Sequence, residues 1–205
     1  MINTMTKNDK RWIGDLLGGS LMVRESRTIA ELLLSEPDET TWQQQITNEN
    51  ILQASSTSTA NRYARTLRLR LMTLDREGLL LIADGSESER LQMLLVALMI
   101  QSPVVATFIA EVVNPARQQF KEKLGINCWS EFVDENLRLH PELAAFSDSS
   151  IQKMGNNLIK ALAEAGYLDS PRRRNLQNVF LLPVVAAALH RLNKAELLPI
   201  LEGNA

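Results

Sequence analysis

The 205-residue sequence holds a single cysteine, Cys128, so no intramolecular disulfide and no cysteine metal cluster can form. That usage fits a reducing compartment, and a cytoplasmic location is expected. Histidine is almost as scarce, with only His140 and His190. His140 precedes a proline, His190 sits in an apolar helical stretch, and neither has metal-ligand spacing to another histidine or to Cys128. Gly18-Gly19 is not followed by the Gly-Lys-Ser/Thr of a phosphate loop. Asp134 and Glu135 are adjacent, so they leave a helix in different directions and make no acid/base pair. Cys128 has no motif around it and reads as a core residue. No catalytic residue, metal or cofactor is therefore expected.

Residues 1–10 lack a charged start followed by an apolar stretch, which excludes a secretory signal as the first reading. A strong charge of either sign is missing as well. The net charge is −2 and the pI near 5.8, which argues against indiscriminate coating of nucleic acid. A local basic face stays compatible, because binding follows the local field rather than the sum. A membrane span is missing by a narrow margin. Residues 91–110 carry no charge, but they include Gln92, Gln101, Ser102 and Thr107, with Pro103 at the centre. A spanning helix needs about 20 predominantly apolar residues. Ser102-Pro103 is expected to separate two short buried helices instead, without stable membrane insertion.

What is present is apolar helical patterning. Apolar content is 45%, enough for one large domain or two small packed ones. Ile29, Leu32 and Leu33 illustrate the spacing of three and four. Helices are predicted over residues 12–17 and 21–34, separated by Gly18-Gly19, with Ser20 as cap of the second. Others are predicted over residues 41–45, 50–54, 59–76, 89–101, 103–113, 116–124, 129–139 and 141–146, then 149–165, 183–192 and 196–201. Gly78, Gly125 and Gly166 read as stops. Residues 79–82 read as a strand or extended tail, and Ser149 with Gln152 as a capping box. Trp12, Trp42 and Trp129 begin helices and are expected to anchor packing. The fold class expected is all-α: a compact, multi-helix globule.

Within residues 60–74 lie four arginines and no acid. Tyr63, Leu67, Leu71 and Leu74 form an apolar stripe, and Arg62, Arg65, Arg68 and Arg76 lie off it. Ser58, Thr59 and Asn61 stand at the helix start. In a DNA-reading helix the N-terminal residues face the groove, and hydroxyls and free N–H groups there suit phosphate oxygens. Arginine suits both phosphate and guanine. The plainer alternative is a solvated face paired with Glu25, Glu31, Glu36, Asp38 or Glu39.

The segment ending at Gly166-Tyr167-Leu168 echoes the one ending at Gly78-Leu79-Leu80. The echo suggests two helix-turn-helix units, with or without rudimentary wings. One spans about residues 42–81 in an N-terminal part, residues 1–114. The other spans about residues 129–182 in a C-terminal part, residues 115–205, packed with the first as one globule. The second unit contributes Lys153 and, beyond its helix stop, Arg172, Arg173 and Arg174 as a basic loop, which Lys121 and Lys123 widen. For one contiguous footprint, this loop and the face from Arg62 to Arg68 must lie on the same side.

Several features together resemble a known family. They are Leu17-Gly-Gly-Ser-Leu21 with Glu25-Ser26 and Ile29-Ala30, then Trp42, then Asn50-Ile-Leu52 leading to Ser58-Thr-Ala-Asn-Arg62 and Arg70-Leu71. Gly166-Tyr-Leu168 followed by an apolar stretch with Pro183 completes the set. The whole chain resembles the BrxA proteins of bacterial BREX phage-exclusion systems. The resemblance implies an all-α protein with helix-turn-helix elements that binds double-stranded DNA. It also implies a non-catalytic accessory role beside a methyltransferase, an ATPase and other BREX proteins as partners. The residues themselves suggest docking on the duplex backbone with weak sequence specificity. Neutralising about five phosphates would give a slope of log affinity on log salt near about −4.5. A protein-interaction scaffold, an RNA-binding helical module and a membrane-associated protein are the alternatives.

Overall fold

Among the described residues, polar side-chain caps set five of the eleven α-helix starts. Asp38, Ser56, Asp75, Ser86 and Ser147 each accept a hydrogen bond from a backbone N–H of the first turn that follows. At Ser86 the Glu89 carboxylate bonds back to the cap N–H, which completes a capping box. The structure, a computed structural model, describes residues 12–203. The helices are α1 Val23–Leu34, α2 Glu39–Gln43, α3 Thr57–Leu71, α4 Arg76–Ala83 and α5 Glu87–Gln101. After them come α6 Val104–Phe108, α7 Asn114–Gln118, α8 Cys128–Asn136, α9 Asp148–Glu164, α10 Pro183–Arg191 and α11 Leu198–Glu202. Among the described residues there is no strand, and the all-α expectation holds.

α5 runs through the centre. Its residues Met93, Leu94, Leu95, Val96, Ala97, Leu98 and Met99 are all buried, and it touches α1, α3, α4, α6, α9 and α10. A helix surrounded on all sides is apolar on all sides, which explains the uncharged stretch. Among the described residues no single helix is long and apolar enough to cross a membrane. Ser102 and Pro103 do break the apolar run, and the helices on either side are bent by 111°.

Several local expectations are corrected. Residues 12–17 form turns and a short 3-10 helix, Leu16–Gly18, rather than an α-helix. Ser20 caps nothing; its hydroxyl donates to Glu164, and α1 begins after Met22, which has φ 52° and makes no side-chain cap. Residues 50–54 form a turn, because the Asn50 amide donates to the Ala54 carbonyl and accepts from its N–H. The N-cap of α9 is Ser147, not Ser149.

The basic helix ends at Leu71, because Asp75 caps a new helix just beyond it. Gly78 therefore stops nothing. It lies in the first turn of α4 and donates its N–H to Asp75 Oδ1 at 2.7 Å, and residues 79–82 are helical. A short apolar run has no period that separates helix from strand. Gly166, by contrast, is a true stop: it has φ 82°, donates to the Ala163 carbonyl, and is followed by Tyr167 donating to Leu162. The glycines at the heart of the internal echo are thus not equivalent.

The helices expected over residues 103–113 and 116–124 are not separate either. Residues 104–118 continue through a π turn, Ile109–Val113, in which the Asn114 N–H reaches the Ile109 carbonyl. That wide turn absorbs the donor missing at proline. The helix ends at Gln118, short of Gly125, and Phe120 follows with φ 55°.

Candidate nucleic-acid interface

α3 follows α2 across a short connection. α2 runs on as a π turn, Gln44–Asn48, and the chain then turns over residues 49–55 to the cap at Ser56. Ala60, Ala64, Leu67, Arg70 and Leu71 form the buried face of α3, with Tyr63 half-buried at its edge. The opposite face exposes Ser58, Asn61, Arg62, Arg65, Leu69 and Met72.

The arginines divide by this geometry. Arg62 and Arg65 project outward and make no ion pair among the described residues; Arg62 lies over the Tyr63 ring, 5.0 Å from its centre. Arg68 takes the plainer alternative: it pairs with Glu39 at 2.9 Å and stacks over Trp42 at 4.3 Å. Arg76 pairs with Glu36 at 3.4 Å. Arg70 is fully buried, donating to the Ser20 carbonyl at 2.6 Å and to Asp15 at 3.2 Å. At the helix start, Thr59 is held in the cap by Ser56, and the Asn61 side chain accepts from the Thr47 hydroxyl at 3.2 Å. Ser58 is exposed beside them.

Lys153 stands on the exposed side of α9, across a groove of about 410 Å³ from Arg62. The groove also takes in Lys160 and Asn157, with Glu25 and Glu164 on its acidic side. Glu164 is largely occupied, accepting from the Ser20 hydroxyl and the Leu21 N–H and lying 3.7 Å from Lys160. The structure thus brings Arg62 and Lys153 to one groove and adds Lys160, which sequence reasoning left out. The signal was legible: residues 153, 157 and 160 share one helix face by their spacing of four and three.

The basic loop is the turn of a small hairpin. Asp169 donates to the Asn175 carbonyl, Gln177 donates to Tyr167, and residues 122–124 add a third edge through Leu176 to Glu122 and Leu124 to Arg174. Here too the arginines differ. Arg172 is exposed and unpaired among the described residues. Arg173 bonds Asp169 at 2.9 Å. Arg174, at φ 60°, donates to the carbonyls of Gly125, Ile126 and Pro171 and so holds the loop together. Cys128 lies buried beside it, where burial pushes the thiol up against the opposing pull of Arg174.

A helical globule with cations gathered on α3, α9 and a short hairpin defines an all-α class of protein with a mixed-charge surface. The profile of the BrxA family matches residues 10–193. "BREX protein BrxA" of Escherichia coli O9:H4 is 68% identical over 200 residues, covering 98% of this chain and 94% of that protein. The protein of the same name from Paramagnetospirillum magneticum is 30% identical over 171 residues, covering 83% of this chain and 86% of that one. The crystal structure of an uncharacterized protein from Magnetospirillum magneticum superposes with a TM-score of 0.85 at 27% identity, covering 94% of this chain and 99% of that one. The chain belongs to the BrxA family.

Proposed function

We propose that this chain is a non-catalytic, double-stranded-DNA-binding accessory protein of a BREX phage-defence system, working in the cytoplasm beside other BREX proteins. Family membership supports the defence role, since the curated relatives carry the BREX name. The DNA reading rests on one observation: Arg62 and Arg65 project from the exposed face of α3 without an ion-pair partner among the described residues, in a protein whose net charge is −2. Unpaired outward cations on a capped second helix suit phosphate oxygens.

The first helix-turn-helix unit is then α2, its turn and α3, with Ser58, Thr59 and Asn61 at the helix start near the groove. The second is built around α8 and α9, with the hairpin of residues 167–177 as a rudimentary wing that presents Arg172. In this reading the parts 1–114 and 115–205 meet on the duplex along α9. Lys153 and Lys160 share a groove with Arg62. Arg68, Arg173 and Arg174 act by positioning, given their internal partners. The contacts go to backbone, so sequence preference is weak.

The test is an electrophoretic mobility shift with a mixed-sequence duplex. Arg62→Glu with Arg65→Glu is expected to weaken binding by at least about tenfold at moderate salt. The melting temperature should stay within a few degrees, because both side chains are exposed. Undiminished binding by this variant would place the DNA face elsewhere.

A further inference from the structure

On the C-terminal half, α8 and α9 form a groove that their own chain does not fill. The cleft measures about 820 Å³. Its lining follows a spacing of four: Trp129 and Val133 of α8 with Leu137 just past its end, and Ile151, Gly155 and Ile159 of α9, of which Leu137 and Ile151 are the more accessible. Spacing of four along two neighbouring helices is the ridge pattern that receives a third helix. Gly155 keeps the floor thin, because a Cβ there would run into the Trp129 ring. Two large apolar side chains at the mouth stand uncovered, with Ile126 82% and Leu137 41% exposed. The nine residues of α8 give a wall of about 13 Å, enough for two to three helical turns.

The rim identifies the occupant by its charge. Asp134 and Asp148 line the cleft, and Glu131 and Glu135 lie exposed on the same helix as Asp134. None of these acids is in an ion pair among the described residues. The one cation in the lining, Arg174, spends its guanidinium on the carbonyls of Gly125, Ile126 and Pro171. An apolar groove with an acidic rim repels a nucleic-acid backbone and fits an apolar helix flanked by cations.

We propose that this cleft docks a basic amphipathic helix of a protein partner, laid between α8 and α9 with its apolar face on Ile126, Leu137 and Ile151. The inference does not depend on DNA binding, and its site is distinct from the groove shared by Arg62 and Lys153.

The probe is a synthetic helical peptide of about 18 residues, long enough to hold helix on contact, with leucines on one face and lysines on the other. A second peptide replaces the lysines by glutamates, and a third replaces the leucines by serines. Anisotropy titration of the full chain is expected to show binding of the lysine–leucine peptide alone. Binding should shift the indole N–H resonance of Trp129, which donates to the Ile151 carbonyl at 2.8 Å in the groove floor. Glu131→Lys with Asp134→Lys should weaken that peptide by at least about tenfold and admit the glutamate–leucine peptide. Leu137→Gln, a milder change at a half-exposed position, should also weaken the lysine–leucine peptide. Equal binding of the first two peptides by the native chain would overturn the proposal, as would binding of the serine peptide or an unchanged preference in the reversed-charge variant. A dimer in sedimentation that Leu137→Gln dissociates would also overturn it, by giving the cleft to a second copy.

Discussion

Arg62 and Arg70 belong to the same basic helix and have opposite fates. Arg62 faces solvent, while Arg70 is sealed under Ser20, Gly19 and Asp15. Sequence spacing alone was able to separate them. Arg70 lies three residues after Leu67 and beside Leu71, on the apolar stripe. Its charge drew attention outward, yet a buried arginine is tolerated when carbonyls and a carboxylate receive it. Asp15→Ala leaves that guanidinium short of its counter-charge. It is expected to lower unfolding stability by about 3 kcal/mol, read from urea midpoints. Gly155 makes a second test at this scale. Gly155→Ala forces the Trp129 ring aside and is expected to cost about 1–3 kcal/mol by the same measurement, in spite of alanine's better helix propensity.

At the scale of elements, the caps decided what the glycines did not. Gly78 and Gly166 look alike in sequence, but Asp75 stands three residues before Gly78 and claims its N–H as a cap, whereas Gly166 has no such acid before it and takes the left-handed turn. The helices with strong periodic faces, α1, α3 and α9, were legible with ends displaced by a few residues. The hairpin of residues 167–177 was legible only as a loop, because half of the bonds that fix it run to residues 122–124, far away in sequence.

Asp75 also joins α4 to the end of α10, accepting from Arg191 Nε at 2.9 Å. Burial raises its carboxyl, but the bonds from Arg191 and from the Gly78 N–H together outweigh it, and the group lies below its ordinary value. A depressed carboxylate stabilises the fold above the unfolded value of about 3.9, and that contribution is lost as pH falls through the lower folded value. Asp75→Asn should therefore be less stable than the native chain at neutral pH. The gap between their urea midpoints should close as pH falls below about 4. A gap that is constant across this range would leave the cap bond, rather than the charge, as the contribution.

For the whole molecule, the central α5 explains how a slightly acidic chain carries both a basic and an acidic face. One helix, buried along Met93 to Met99, supports α1, α3, α4, α9 and α10. Cations and acids are left to sort on the outer surfaces. The cations of α3 and α9 converge on the groove between Arg62 and Lys153, and Asp134 of α8 lines the separate cleft between α8 and α9. Membership of the BrxA family was legible along most of the chain. Which of the outward arginines is paired was not, since Arg68 meets Glu39 and Arg76 meets Glu36, acids distant in sequence.

That division changes the expected stoichiometry of DNA contact. Arg68, Arg173 and Arg174 are engaged internally, which leaves Arg62, Arg65, Lys153 and Arg172 for phosphates. The most direct measurement is duplex affinity by fluorescence anisotropy across a series of salt concentrations. With about four phosphates neutralised, log affinity should fall against log salt with a slope near about −3.6. In the Arg62→Glu, Arg65→Glu variant the slope should drop to about −1.8 or less. A duplex affinity independent of salt, or a slope unchanged by that variant, would contradict DNA binding through this face.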